Sequence, residues 1–209
     1  MKRANINLPI AALMKPNSQS TRLWKKHVAT LALMVNVGVT GVFAQESPIN
    51  MRFSGTGAAS AIDLKQPNTR TGEQNVAGDS ALGPFTFRIV RASATSPQPS
   101  STCSGLYIPT MAGGGLFRFQ DGSLLMVNIT QGGDCIDLAA NVGHCTLTFQ
   151  ITGGTGRFNG ASGSLTLTET ALPVLADATN NPILFTEAGE IKGTVSGVAL
   201  GEDAQSVRR

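Results

Sequence analysis

The stretch Ile151-Thr152-Gly153-Gly154-Thr155-Gly156-Arg157-Phe158-Asn159-Gly160-Ala161-Ser162-Gly163-Ser164-Leu165 decides the reading of this chain. Upstream of it, Leu147, Phe149 and Ile151 alternate with Thr146, Thr148 and Gln150, the two-residue period of a strand with one buried face. A second strand is expected from Ser162 to Thr168. Between them, Gly153, Gly154, Gly156 and Gly160 permit positive φ and close backbone approach, and Phe158 is placed to fold its ring over one end of the apolar face. A nucleotide cradle is the competing reading of so many glycines. It fails because Asn159 stands where the third glycine of a dinucleotide fingerprint belongs, and because the turn leads into a strand instead of a helix.

Working outward, further strands are expected at Asn50 to Gly57, Gly83 to Ala92, Gly105 to Thr110, Gly115 to Gln120, Ser123 to Thr130, His144 to Thr152, Ser162 to Thr170 and Ile183 to Gly197. No convincing 3.6-residue amphipathic period follows the first 45 residues, and charged residues make up 14% of the chain. Asp121-Gly122, between Phe119 and Leu124, reads as a two-residue hairpin turn that pairs the strands on either side. The fold class is therefore all-β. About eight antiparallel strands joined by hairpins favour a single small closed barrel, which leaves no exposed edge; a two-sheet sandwich is the alternative. Lys65 to Asp79 and the Ser- and Pro-rich Ser93 to Ser104 read as exposed connectors.

Gly153-Gly154-Thr155-Gly156-x-Phe158-x-x-Ala161-x-Gly163 resembles the signature of the allene oxide cyclase and dirigent superfamily, and looks closest to its uncharacterised secreted bacterial members. The resemblance implies an antiparallel barrel with an apolar interior and association through outer walls, which admits a homo-oligomer. It carries no activity over. The matched residues form a turn, and the pocket groups of cyclases and dirigent proteins find no residue-by-residue counterpart in this chain.

Trp24 to Gln45 reads as a secretory signal: Lys25 and Lys26 precede the apolar run Val28 to Val42, and Val42-Phe43-Ala44 puts small residues at the −3 and −1 positions. Residues 1–44 are thus expected to be removed, 45–200 to form the barrel and 201–209 a flexible tail. The run is interrupted by Asn36, Gly38 and Gly41 and falls short of the roughly 20 apolar residues of a membrane span, so no transmembrane anchor is expected in the mature chain. The expected destination is the periplasm or the extracellular medium. Of 16 Lys and Arg, six lie in the leader with no acidic residue, which leaves ten against 13 Asp and Glu and a net charge near −3. With one tyrosine, Tyr107, and no basic run, the mature chain is not read as a nucleic-acid binder.

Chemistry-bearing residues gather in Gln131 to Gly143 and just beyond, with Asp134, Cys135, Asp137, His144 and Cys145. Exported cysteines form disulfides, and Cys135 with Cys145 would close one short loop, worth roughly 3 kcal/mol on a chain-entropy model; Cys103 with either partner is the alternative. No metal or cofactor is expected, because His144 is the only histidine after residue 45 and no Cys-x-x-Cys pair exists. Serine catalysis finds no Gly-x-Ser-x-Gly elbow. Glu187 and Glu190, three apart in a strand, should face opposite sides, and whichever points inward would be a buried carboxylate with a raised pKa.

The expected function is a non-enzymatic barrel that binds a small apolar ligand or an envelope partner. Phe117, Phe119, Met126, Leu147 and Phe149 are the lining candidates on inward strand positions, although the same residues can fill a small core. A cyclase-like isomerase acting on an apolar substrate is the alternative: an open interior with a buried carboxylate or asparagine would favour it, whereas an interior packed with Leu, Phe and Met would sink both ligand readings and leave a surface-interaction protein.

Overall fold

The computed structural model describes residues 46–178 and 181–199; the expected leader and C-terminal tail lie outside them. Eight strands follow one another: β1 (Ser47–Ala59), β2 (Thr69–Ser80), β3 (Phe85–Ala94), β4 (Leu106–Phe119), β5 (Leu124–Asp137), β6 (Val142–Gly154), β7 (Ser162–Ala176) and β8 (Pro182–Ser196). Every neighbouring pair is antiparallel, and β1 also pairs with β8 from Ser47↔Val195 to Ala58↔Leu184. The sheet is a closed barrel in sequence order, so no strand is left as an edge.

The expected count of eight is reached by a different partition. Lys65 to Asp79 is largely strand, not connector: β2 hides from pattern reading because its inward positions hold Gly72, Gln74 and Gly78 with Val76 as the apolar exception. Gly105 to Thr110 and Gly115 to Gln120 are one strand, β4, which runs unbroken through Ala112, Gly113 and Gly114. Gln131 to Gly143 is mostly ladder as well, and only 138–141 connect β5 to β6.

One end of the barrel carries the short turns after β2, β4 and β6. At β4–β5, Phe119 N–H donates to Ser123 O at 3.0 Å and Gly122 N–H to Phe119 O at 2.9 Å, so the expected two-residue turn is a three-residue loop with Gly122 at φ +81°. At β6–β7 the quoted stretch forms a single 3-10 turn, Gly156–Phe158. Gly156 has φ +60°, and a Cβ there would come within 2.4 Å of Ser123 Oγ. Gly153 and Gly160 also have positive φ, whereas Gly154 is needed for space beside Phe158. Phe158 is fully buried and its ring stands 4.7 Å from that of Phe119. Arg157 covers both rings at 4.9 and 5.0 Å, donates Nη2–H to Leu82 O at 2.5 Å, and pairs with Asp121 at 3.4 Å. One residue therefore ties three turns together.

Above this plug the interior is apolar. Phe87 stacks on Phe117 at 3.7 Å, Phe149 meets Phe87 edge-on at 5.8 Å, and Met51, Leu125, Leu147, Leu165, Leu167 and Ile191 fill the remaining space. Burying each such side chain contributes about 1.5–3 kcal/mol. Phe117, Phe119, Leu147 and Phe149 point inward as expected, but they pack on one another as core. Met126 does not point inward. It pairs with Leu116 on the outer wall and is 40% exposed, because its neighbours Leu125 and Val127 hold the inward parity of β5.

The disulfide also differs from expectation: Cys103 bonds to Cys135, and Cys145 is a buried free thiol. Register explains this. Cys135 lies opposite His144 and Cys145 opposite Asp134, so the two cysteines expected to pair project from opposite faces of the sheet.

Candidate functional site in the loop half of the barrel

The other end of the barrel carries the connections after β1, β3, β5 and β7, and here the inward positions change from apolar to polar. Along β3 the inward series Phe85, Phe87, Ile89 ends in Arg91; along β7, Leu165 and Leu167 are followed by Glu169; along β2, Val76 is followed by Gln74. Asp134 is the cross-strand partner of Cys145, and Cys145 that of Glu169, which sets three functional side chains at one level on adjacent strands. Glu187 joins them from β8.

Two connected groups result. Arg91 makes a two-pronged ion pair with Asp134, Nη1 to Oδ2 and Nη2 to Oδ1 both at 2.9 Å, and Nη1 also lies 3.4 Å from Thr110 Oγ1 and 3.5 Å from Cys145 Sγ. Gln74 crosses the barrel: its Nε2 donates to Glu169 Oε1 at 2.5 Å and to Glu187 Oε1 at 2.9 Å. Gly57 on β1 makes this possible, since a Cβ at that position would overlap the Glu187 carboxylate. Gln74, Glu169 and Glu187 are 2%, 6% and 5% exposed, and Gln74 Oε1, Glu169 Oε2 and Glu187 Oε2 make no hydrogen bond among the described residues.

Burial disfavours charge here, and proximity adds to it. Glu169 is pushed up to about 7, first by burial and then by the charge of Glu187. Burial also raises Glu187, while the Gln74 hydrogen bond acts against the rise. The Cys145 thiol is raised well above its ordinary range by burial, which Arg91 only partly offsets, so it is a poor nucleophile. A carboxyl that exchanges its proton near neutrality can bind a donor when ionised and can act as general acid or base.

Of the residues gathered in the sequence around 131–145, Asp134 and Cys145 reach the interior. His144 and Asp137 do not: both are exposed, and Asp137 Oδ1 accepts the backbone N–H groups of Ala139 and Ala140. Glu187 is the inward member of its pair, and Glu190 lies outside against Lys192. Gln74, Arg91 and Glu169 went unrecognised in the sequence, although Arg91 and Glu169 each follow apolar residues at the inward parity of their strands; β2 offers only Val76 beside Gln74. An open hollow of about 440 Å³ lies beside the disulfide, lined by Ser104, Gly105, Leu106, Ile136, Asp137 and Leu138, and gathers a single ionisable group. Among the described residues no helix is long and apolar enough to cross a membrane. No family model matches the chain, and neither a curated protein nor a solved structure matches it.

Proposed function

We propose that this chain is an exported barrel that binds a small molecule at its loop end, apolar in its body and hydrogen-bond-donating at its head, without altering it. One observation carries this reading: three buried acceptor atoms, Gln74 Oε1, Glu169 Oε2 and Glu187 Oε2, lack partners in a single layer. An unsatisfied buried acceptor costs about 1–3 kcal/mol, so a donor that meets several of them gains correspondingly. The exposed Val174, Leu175 and Ile183 near the tip of the β7–β8 hairpin suit an apolar body. Export is supported by the Trp24 to Gln45 pattern, and the Cys103–Cys135 disulfide is compatible with an oxidising compartment. The turn motif supports kinship with the cyclase and dirigent barrels. On the outer wall, the exposed Leu116 and Met126 pair supports association between copies.

Native mass spectrometry of the protein taken from its host periplasm tests this reading. A near-stoichiometric small molecule is expected, and it should be lost in a folded Gln74→Met variant. A bare protein mass, together with no melting shift from a panel of amphiphiles, would count against any ligand.

The raised pKa of Glu169 beside Glu187 favours a second reading, an isomerase that uses the two carboxyls as acid and base. Incubating the extracted compound with fresh protein separates the two: rearrangement at constant mass, abolished in Glu169→Gln, would establish catalysis.

A further inference from the structure

At the level of Gln74 each of the eight strands contributes one inward position: Gly57, Gln74, Arg91, Thr110, Asp134, Cys145, Glu169 and Glu187. One cation thus meets three carboxyl groups and a buried thiol. The guanidinium of Arg91 is committed to Asp134 through two hydrogen bonds, and its contacts with Thr110 and Cys145 lie on that same side. Among the described residues no cation is bonded to Glu169 or Glu187, which share the two N–H donors of one neutral amide. With both carboxyls ionised, what remains open around Gln74 is acceptor only.

Resting on the ligand-binding reading above, we propose that the head group bound at Gln74, Glu169 and Glu187 is a primary ammonium. Such a group has three N–H donors, no acceptor and one positive charge on a compact centre. Three unpartnered acceptors of a net-negative layer match it in number, kind and sign. A hydroxyl offers one donor and brings lone pairs that the three open atoms cannot serve. A quaternary ammonium offers no donor, and a carboxylate would be repelled. Because ammonium favours the ionised carboxyls, binding below about pH 7 must expel a proton from Glu169, whereas above it Glu169 is already charged.

Calorimetric titration of the mature chain, disulfide intact, with n-octylammonium, n-octanol and n-octanoate tests the assignment with one chain length and three heads. Octylammonium should bind at least about tenfold more tightly than octanol, with octanoate undetected. Its affinity should rise from pH 6 to pH 8, by about tenfold through Glu169 alone, and buffers of different ionisation enthalpy should report more proton release at pH 6 than at pH 8. Glu187→Gln, checked for a native circular dichroism spectrum and melt, should weaken octylammonium and leave octanol unchanged. If octanol or octanoate binds as tightly as the amine, the ammonium assignment falls while the ligand-binding reading stands. If no probe binds, and the wild-type carboxyls hold their own protons through neutral pH, both fall together.

Discussion

Glu169 occupies the inward position that Leu165 and Leu167 prepare for another leucine, and replacing the expected methyl groups with a carboxyl makes the barrel's stability depend on pH. Its folded-state pKa of about 7 exceeds the ordinary 4.5, so its contribution is fully present below pH 4.5, declines as pH rises and is lost above 7. The amount is about 3 kcal/mol, and Glu187, raised in the same direction, adds to it. Urea unfolding at pH 4.5 and pH 8 should show wild type losing stability across that interval relative to Glu169→Gln. Parallel curves for the two proteins would mean that the carboxyl is not desolvated. The residue was legible in principle, since alternation alone puts 165, 167 and 169 on one face. Pattern alone does not place it in the core, because acidic residues are rarely buried unpaired and burying one requires partners from β2 and β8 that no local pattern reveals.

Among the elements, the β6–β7 turn is where sequence and structure agree most closely. Its glycines have separable roles, and substitutions distinguish them. Gly160→Ala meets no atom within 4 Å and is penalised only for φ +78°, about 1 kcal/mol, whereas Gly156→Ala adds a clash with Ser123 Oγ to φ +60°. Denaturant midpoints should therefore fall further for Gly156→Ala, and equal losses would show that the Ser123 contact relaxes freely. Strand β2 is the opposite case. With Gly72, Gln74 and Gly78 inward it carries no apolar alternation, and it becomes a strand because β1 and β3 flank it with complete ladders. Likewise β4 continues through three glycines because β3 pairs with all of them and β5 with Gly114 and Gly115, although glycine alone weakens a strand.

For the whole molecule, the pairing of β1 with β8 means that no strand can leave without breaking two ladders, which makes cooperative unfolding the expectation. Cys145, buried at the centre, reports on it: alkylation with the disulfide intact should follow the same urea transition as far-UV circular dichroism. Earlier alkylation would reveal separate opening of the polar half. Reducing Cys103–Cys135, 32 residues apart, should lower the midpoint, corresponding to about 3–4 kcal/mol on the chain-entropy model, and leave the barrel folded.

The sequence by itself determined the all-β class, the hairpin at Asp121-Gly122, the plug role of Phe158 and the inward parity of Phe117, Phe119, Leu147 and Phe149, because each depends on residues within one turn or one strand. Tertiary structure alone decided the disulfide partner, the outward position of Met126, the existence of β2 and the convergence of Gln74, Glu169, Glu187 and the Arg91–Asp134 pair. Those outcomes depend on which strands lie side by side and in what register, and a one-residue slip in register would turn every one of these side chains to the other face.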